Sequence, residues 1–250
     1  MVFREKIKKT DKHEFAFYYA DITSIAQQGR NCSLSDSELV HRVVRIVKIA
    51  VDEHFVLFNQ QQQVTVSLVS CSKREIVIDV IKVQQNQELK PHIIFLLPML
   101  KRDNLETAVY SLAELGVNEI QLVITQKSRQ KAISQKELQR LCKVAISAAE
   151  QSKHFAFPVI KEPQPLQDYS SSLDKNRNKI VFDAAGVSFD GLKSALKYTD
   201  HYLLVGPEGG LTAEESEFLS VQGFIKSALT STVLRAVQAV SVGTSLFRLR

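Results

Sequence analysis

The sequence predicts an α/β protein with two parts, a small β-rich N-terminal part and a larger C-terminal part in which strands and helices alternate. Before Pro91, short runs alternate between apolar and polar residues, as strands with one buried face do. After Pro91, continuous apolar runs are followed by amphipathic segments with helix caps. The polar segment 84–90 has the composition of a linker, so we expect domains at 1–88 and 89–250.

The N-terminal part is predicted to form a small β-barrel or sandwich. Alternation with a period of two is clearest in residues 64–68 and 76–80. The glutamines at 60–63 separate two strand-like runs and are predicted to form a hairpin loop. The other predicted elements are a helix around 36–40 and strands within 43–58, 64–70 and 75–83.

The alternation in the C-terminal part predicts a parallel sheet that is covered by helices on both faces. Asp103 with Glu106, and Ser134 with Glu137, have the spacing of helix-capping boxes. Gly116 is placed to end the first of these helices. The predicted strands lie at 92–97, 119–124, 155–160, 180–184 and 202–205. In such sheets ligands bind beyond the carboxyl ends of the strands, where we expect the functional site.

Residues 203–215, LLVGPEGGLTAEE, are the most informative segment of the chain. A buried-type strand ends before Gly206, the chain turns at Gly209-Gly210, and a helix begins. Thr212 is a suitable N-cap, and Glu215 three residues later completes a capping box. This arrangement commonly cradles a ligand, because glycine lets backbone amides approach a ligand closely. The alternative is a strained turn that only joins a strand to a helix.

The charge of this loop favours a neutral or cationic ligand over a phosphate. Glu208 lies inside the loop, and no Lys or Arg occurs between Val205 and Leu219. A phosphate would therefore meet a carboxylate with no cation to offset it. The loop also lacks the GxGxxG spacing and the GK[ST] of phosphate-binding loops. We interpret it as a cradle that holds its ligand through backbone groups.

Composition sets broader limits on function. The net charge of +5 at pH 7 weakly favours an anionic partner such as nucleic acid, with a simple solubility role as the alternative. The three cysteines form no CxxC or His/Cys cluster, so neither a metal site nor a disulfide framework is expected. The charged segment 1–15 lacks the apolar core of a signal peptide, and the longest apolar run, 93–100, is too short to span a bilayer. We expect a cytoplasmic protein without a membrane segment.

Several stretches occur in an order that resembles a known family. They are Lys101–Asp103 with Ala113–Val117, Ala149–Ser152 with Pro158, Val205–Gly210, Val233–Arg235 with Ala239, and, upstream, His41 with Val43–Ile46. Together they resemble the bacterial ribosomal RNA small subunit methyltransferase E family. Members of that family use S-adenosylmethionine to methylate N3 of a uridine in 16S ribosomal RNA.

The resemblance implies a fold and an assembly that periodicity alone does not reveal. It implies an N-terminal PUA-like β-barrel that binds RNA, and a C-terminal SPOUT-class α/β domain. In that class the C-terminal segment threads a loop to form a trefoil knot, which is a rare exception to ordinary chain topology. The implied state is a homodimer, the implied partner is 16S ribosomal RNA or the 30S subunit, and no metal is needed.

The resemblance also implies roles for individual residues. S-adenosylmethionine would lie against the glycine loop and against the segment from Leu229 to Leu234. The implied donor-binding residues are Leu97, Val205, Gly206, Pro207, Glu208, Gly209, Gly210, Leu229, Leu234 and Ala239. Arg235 is the candidate catalytic cation, which would stabilise negative charge on the uracil, and its alternative role is to pair with a carboxylate such as Glu208. Glu208 could likewise serve only to shape the loop.

Basic residues outside the loop are candidates for contact with RNA. The candidate phosphate contacts are Lys127, Arg129 and Lys131, together with Lys153 later in the chain, and the candidate RNA contacts of the N-terminal part are His41 and Arg45. An ordinary solvated loop is the alternative for the first group. A strand-edge or helix-face role is the alternative for the second.

The chain departs from the family pattern at several positions. Thr232, Val237, Ser111 and His154 stand where the family has Arg, Glu, Lys and Arg, respectively. These differences leave the glycine loop intact but remove polar groups near the expected site. They keep two alternatives open, a catalytically weakened RNA-binding or ribosome-assembly protein, and a knotted methyltransferase that acts on another RNA.

Overall fold

The computed structural model describes residues 14–249 and divides the chain into two compact units, Met1–Asn86 and Gln87–Arg250. The charged start of the chain, from which we expect the absence of a signal peptide, lies largely outside the described residues. Within the described part, no helix has both the length and the apolar character that crossing a membrane requires.

The N-terminal unit contains a five-stranded sheet whose strand order is β1-β3-β4-β5-β2. The strands are β1 (Ala16–Tyr18), β2 (Cys32–Leu34), β3 (His54–Phe58), β4 (Gln62–Cys71) and β5 (Ile76–Gln85). β1 and β3 are parallel, and the other pairs are antiparallel. Val64, Val66 and Leu68 are buried while their neighbours are less so, which confirms the strand predicted from their alternation.

Helical segments cover the buried face of this sheet. They are α1 (Ile22–Gln28), α2 (Ser37–His41) and a π-helical segment (Arg42–Val47). The Asp36 side chain caps α2 by accepting a hydrogen bond from the Leu39 amide at 2.7 Å. The prediction of a strand from Val43 was wrong, because helical spacing places Val40 and Val43 in the core and leaves Ile46 65% exposed. The strand in that region begins only at His54.

The C-terminal unit contains a six-stranded sheet in which every pair is parallel, which confirms the predicted parallel sheet. Its strands are β6 (Ile93–Pro98), β7 (Glu119–Ile124), β8 (Val159–Pro165), β9 (Asn178–Ser188), β10 (His201–Val205) and β11 (Ile225–Ala228). The strand order is β11-β9-β10-β6-β7-β8. The central strand β10 is buried along its whole length, as a strand covered on both faces must be.

Six helices accompany this sheet in the described part. They are α3 (Arg102–Glu114), α4 (Gln135–Ser152), α5 (Leu166–Ser171), α6 (Phe189–Ala195), α7 (Ala213–Val221) and α8 (Ala236–Ser245). Alternate residues of the strands enter two separate apolar clusters, as Leu203 and Leu204 illustrate. Leu203 packs in the cluster that includes residues of α3, α4, α6 and α8, and Leu204 packs in the cluster with residues of α5 and α7. The sheet is therefore covered on both faces.

Two local predictions in this unit were wrong. Helix α3 begins at Arg102 after Lys101, so Asp103 lies in its first turn and is not its N-cap. Glu106 does not reach back to a cap but forms an ion pair with Arg140 of α4, whose Nη2 lies 2.9 Å from Oε2. The strand predicted at 155–160 begins at Val159, because Pro158 has no N–H to donate to the ladder. The capping boxes of α4 and α7 match their predictions.

Candidate functional site

The carboxyl ends of β10 and β6 lie side by side at one edge of the parallel sheet, level with the middle of β9. Val205 of β10 pairs with Phe182 of β9, and Leu204 pairs with Leu96 of β6. The segments that follow β10 and β6 therefore leave the sheet at neighbouring positions, whereas β9 continues to Ser188 beside β11. The loop Gly206–Gly210 follows β10 at the centre of this edge, where ligands of open parallel sheets bind.

The loop after β10 is a closed turn. The Gly210 amide donates a hydrogen bond to the Pro207 carbonyl at 2.8 Å. Gly210 has a φ of +68°, a conformation that favours glycine. A Cβ on Gly206 would lie 3.3 Å from both Gly210 Cα and Leu211 N, closer than a side chain normally sits. Both glycines are therefore needed for this compact shape.

Glu208 ties the loop to the start of α3. Its Oε1 accepts hydrogen bonds from the Lys101 amide at 3.1 Å and from Asn104 Nδ2 at 2.8 Å. Burial raises the pKa of this carboxyl, but the hydrogen bonds outweigh it, so the pKa lies below its usual value. Glu208 is thus a carboxylate that shapes the loop, a role that the sequence left open for it.

Lys127 contacts the loop from another segment, the connection between β7 and α4. Its Nζ lies 2.9 Å from the carbonyl oxygen of Gly209 and 3.4 Å from that of Leu211. The expectation that no cation accompanies the loop is therefore wrong. Sequence inspection of residues 205–219 missed this cation because it comes from 82 residues earlier in the chain.

Glu215 joins the loop to the same connection. It is 2% exposed, and its Oε2 accepts a hydrogen bond from the Thr212 amide at 2.9 Å, as a capping box requires. Its Oε1 accepts a second hydrogen bond, from the Gln126 amide at 2.8 Å. One buried carboxylate therefore caps α7 and holds the chain that leaves β7.

A crevice opens beside the middle of β9, level with the end of β10, where the loop begins. It contains about 320 Å³ of empty space, part of it open to solvent. Its lining consists of Phe182, Asp183, Ala184, Leu229, Thr230, Thr232, Val233, Leu234 and Ala239. Among these residues Asp183 supplies a carboxylate, and none is Lys or Arg. The crevice therefore suits a ligand with apolar parts and a positive charge.

Three predicted donor-binding residues, Leu229, Leu234 and Ala239, meet in this crevice, although Leu229 and Ala239 are ten positions apart. Leu97 does not line it, because its side chain is fully buried in the apolar cluster of α3 and α4. Asp183 was missed by sequence reasoning. The signal that could have found it is a carboxylate near the end of a buried strand.

Arg235 follows the crevice lining directly and is the residue before α8. Its side chain is exposed, and it takes no part in the ion pairs found within residues 14–249. Pairing with Glu208, the structural alternative, is not observed, since the hydrogen bonds of that carboxylate go to Lys101 and Asn104. The guanidinium is therefore available to a ligand.

The candidate RNA contacts do not form one cluster. Arg129 and Lys131 are exposed in the connection that contains Lys127. Lys153 lies at the other end of α4, which at about 1.5 Å per residue places it roughly 27 Å from the start of that helix. The ring of the next residue, His154, lies beside Gly116 just before β7, at the amino edge of the sheet, since a Cβ on Gly116 would lie 3.2 Å from it. The grouping of Lys153 with Lys127 was therefore wrong.

In the N-terminal unit, His41 and Arg45 line one groove. The other lining residues are Ser35, Ser37, Val40, Val44, Lys73 and Arg74. The groove contains about 1000 Å³ of empty space, part of it open to solvent. Sequence reasoning missed Lys73 and Arg74. They lie in the turn between β4 and β5, and folding brings them to the same groove as His41 and Arg45.

Metal-binding residues are not grouped in the part of the chain that the structure describes. No set of three or more His, Cys, Asp or Glu side chains within it is placed to hold a metal ion. Cys32, Cys71 and Cys142 are free thiols, and they are buried, exposed and half-buried, respectively.

A parallel sheet with a closed glycine loop and a crevice at its carboxyl edge defines a ligand-binding α/β domain. Residues 87–248 match the family described as RNA methyltransferase domain, so the chain belongs to that family. This confirms the resemblance found in the sequence.

Similar proteins agree with this assignment along nearly the whole chain. The ribosomal RNA small subunit methyltransferase E of Rickettsia conorii is 26% identical over 234 residues, covering 91% of this chain and 93% of that protein. The protein of the same name from Bacillus subtilis is 26% identical over 252 residues, covering 92% and 98%. The crystal structure of the Neisseria gonorrhoeae protein of that name, bound to S-adenosyl methionine, has a TM-score of 0.82 at 21% identity and covers 94% of this chain and 97% of that one. That likeness shows a shared fold.

Proposed function

We propose that this protein transfers the methyl group of S-adenosylmethionine to N3 of a uridine in 16S ribosomal RNA. The observation that carries the proposal is the closed glycine loop after β10, which lies beside the crevice with Asp183 at the carboxyl edge of the parallel sheet. Membership of the RNA methyltransferase family and the names of the relatives support the reaction class and the ribosomal RNA substrate.

The residues at this edge fit the proposed methyl donor. S-adenosylmethionine carries a sulfonium cation, which suits a crevice lined by a carboxylate and apolar side chains. Backbone groups of Gly206–Gly210 would hold it on one side, with Leu229, Leu234 and Ala239 on the other. When bound, the donor supplies the methyl group, and the bond from its carbon to sulfur breaks as the bond to uridine N3 forms.

Arg235 is the residue that we propose acts on the uridine. N3 must lose its proton, which leaves negative charge spread over the uracil ring and its oxygens. A positioned guanidinium stabilises such charge most where water is excluded. Arg235 follows Leu234 of the crevice and is exposed, so it can meet a base presented there. A uridine must be unstacked to reach this position, which favours a single-stranded or flipped target.

We also propose the finer features that the resemblance implies. The N-terminal unit would be a PUA-like domain that binds RNA, and the C-terminal segment would thread a loop to form a trefoil knot. The protein would act as a cytoplasmic homodimer on the 30S subunit. The groove with His41 and Arg45 supports RNA binding by the N-terminal unit, because it presents basic side chains from two separate elements.

A catalytically weakened RNA-binding protein is the second candidate, and one observation favours it. Thr232, which stands where the family has Arg, lines the crevice itself. Two other departures from the family pattern, Val237 and His154, do not favour this candidate. Val237 packs against the apolar cluster of the domain, and His154 lies at the opposite edge of the sheet, where it cannot contact the donor site.

Methyl transfer onto 30S subunits separates the two candidates. We expect the purified protein to transfer label from S-adenosylmethionine to 16S ribosomal RNA. Mass spectrometry of digested RNA should place the methyl group on N3 of a uridine, and cells that lack the gene should lose that modified base. RNA binding without transfer would favour the weakened protein. A full level of the modified base in deleted cells would contradict the proposed physiological role.

Substitution of Arg235 tests its assigned role. We expect Arg235→Ala to lower kcat by about 100-fold, because transition-state charge loses its cation, and to leave the Kd for donor within about twofold. The matched variant Arg235→Lys, which keeps the charge but not the planar fork, should retain part of the activity. Single-turnover kinetics and calorimetry give the two quantities. An unchanged kcat in Arg235→Ala would assign the stabilising cation to another residue.

A further inference from the structure

We infer that Lys127 is a positioning residue of the donor loop, the loop Gly206–Gly210 after β10, and not a contact to RNA phosphate. The inference rests on the proposed function, because it assigns a role to a residue at the same donor site. The observation behind it is that the Lys127 ammonium lies against the loop. The sequence alone groups Lys127 with the neighbouring cations Arg129 and Lys131 and does not indicate this contact.

The ammonium of Lys127 bridges two carbonyl groups of the loop. Nζ lies 2.9 Å from the Gly209 oxygen and 3.4 Å from the Leu211 oxygen. A lysine ammonium has three N–H donors, so these contacts use two of them. The stem of the side chain also covers the loop, since a Cβ on Gly209 would lie 3.3 Å from Lys127 Cδ. The side chain therefore contacts the loop along its length.

Lys127 completes a clamp on both sides of the loop. On one side, Glu208 binds the Lys101 amide and Asn104 at the start of α3. On the other side, Glu215 binds the Gln126 amide, and the next residue, Lys127, binds Gly209 and Leu211. The turn between the two sides has one backbone–backbone hydrogen bond, from the Gly210 amide to the Pro207 carbonyl. Without Lys127, the Glu215 contact would still hold the start of α7, but the Gly209 carbonyl would lose its hydrogen bond to the β7–α4 connection.

The local charge disfavours a phosphate at Lys127. Glu208 lies in the loop that Lys127 contacts, and Glu214 accepts a hydrogen bond from the neighbouring Gln126 side chain at 3.2 Å. Glu214 therefore places negative charge beside the residue that precedes Lys127, and two of the three N–H donors of the ammonium are already used by the carbonyl groups of Gly209 and Leu211. Arg129 and Lys131 are exposed further along the same connection and remain suited to RNA phosphate.

The role predicts a specific effect on donor binding. A loop that is already in its binding shape costs less free energy to order when the ligand arrives. Replacing Lys127 with an apolar side chain of similar length removes both hydrogen bonds. The affinity for the donor should fall, while RNA affinity and its salt dependence should remain unchanged.

The test compares three variants of the full-length protein. We expect Lys127→Met to raise the Kd for S-adenosylmethionine, and its KM, by about tenfold with little change in kcat. Lys127→Arg, which keeps a cation and its donors, should bind within about threefold of wild type. Lys136→Met removes the same charge from an exposed position in α4 and should leave the donor Kd unchanged. Calorimetry measures donor binding, and filter binding at several salt concentrations measures RNA binding.

The possible outcomes are distinct. A tenfold weaker donor affinity in Lys127→Met, rescued in Lys127→Arg and with an unchanged salt slope for RNA, supports the inference. Normal donor affinity in Lys127→Met, or a salt slope lower by about one phosphate contact, overturns it in favour of a phosphate role. Failure of the wild-type protein to bind S-adenosylmethionine would overturn the proposed function and this inference together.

Discussion

Two carboxylates, those of Glu208 and Glu215, help to hold the loop after β10. Glu208 and Glu215 face opposite neighbours, so each connects the loop to a different strand connection. Asp183 differs from both, because it lines the crevice and its Oδ1 accepts a hydrogen bond from the Ala185 amide at 2.9 Å. Two of the three acidic groups thus have structural roles. Asp183 is the one placed to face a cationic ligand.

His201, at the other end of β10, lies in an environment that opposes its protonation. It is 5% exposed, its ring centroid lies 4.6 Å from that of Phe247, and its Nδ1 is 3.1 Å from Asn178 Nδ2. Burial lowers its pKa from the usual 6.5 to about 4, and the positive charge of Arg248 adds to this effect, while the negative charge of Asp200 opposes it. The imidazole is therefore neutral in the folded protein at neutral pH.

This histidine predicts a loss of stability in mild acid. Between pH 6.5 and about 4 the unfolded chain binds a proton that the folded chain does not, so the free energy of unfolding falls as the pH falls. At pH 5 this contribution is ~2 kcal/mol smaller than at pH 7.5. Urea denaturation at the two pH values measures it. The matched variant His201→Gln, which cannot titrate, should show a loss that is smaller by that amount, and identical losses would contradict the assignment.

At the scale of elements, the sequence predicted the strands and helix caps whose signals lie in a few neighbouring residues. Strand β7 occupies the predicted residues 119–124, and the capping boxes that begin α4 and α7 are present. These signals need only a few consecutive positions. The strand predicted from Val43 failed because β-branched residues favour strands locally, whereas packing against the core favoured a helix.

The candidate site depends on contacts that no local pattern contains. Lys127 reaches Gly209 across 82 positions, and Glu208 reaches Asn104 across 104. Both contacts require β6, β7 and β10 to adopt their observed order in the sheet. The turn after β10 and the capped helix that follows it were therefore predictable from sequence, but the residues that hold the turn in shape were not.

The C-terminal segment after α8 is held at the amino edge of the sheet, away from the candidate site. Arg248 donates hydrogen bonds to the carbonyl oxygens of Pro91 at 2.6 Å, Leu115 at 3.1 Å and Gly116 at 2.7 Å. Burial lowers the pKa of its guanidinium to about 10. The segment from Leu229 to Arg248 thus runs from the crevice at one edge to an anchored end at the other, which fixes the position of α8.

At the scale of the whole molecule, each unit presents basic side chains that suit an RNA backbone. The C-terminal unit carries Arg129 and Lys131 in the connection next to the donor loop. The N-terminal unit carries the groove lined by His41, Arg45 and Lys73. We propose that each of these surfaces binds RNA. Affinity would then come largely from the phosphate contacts, while contacts to the base itself would select the uridine.

The groove of the N-terminal unit leads to a prediction about RNA binding. Arg45→Ala should weaken RNA binding uniformly and lower the slope of log K against log salt by about 0.7, the value expected for one phosphate contact to single-stranded RNA. The KM for RNA should rise severalfold, while the donor Kd should not change, because Arg45 lies in a different unit from the donor loop. Lys82→Ala is the matched control, since Lys82 is exposed on β5 of the same unit but does not line the groove. If both variants show the same slope as wild type, the RNA does not bind in this groove, and recognition must rest on the C-terminal unit.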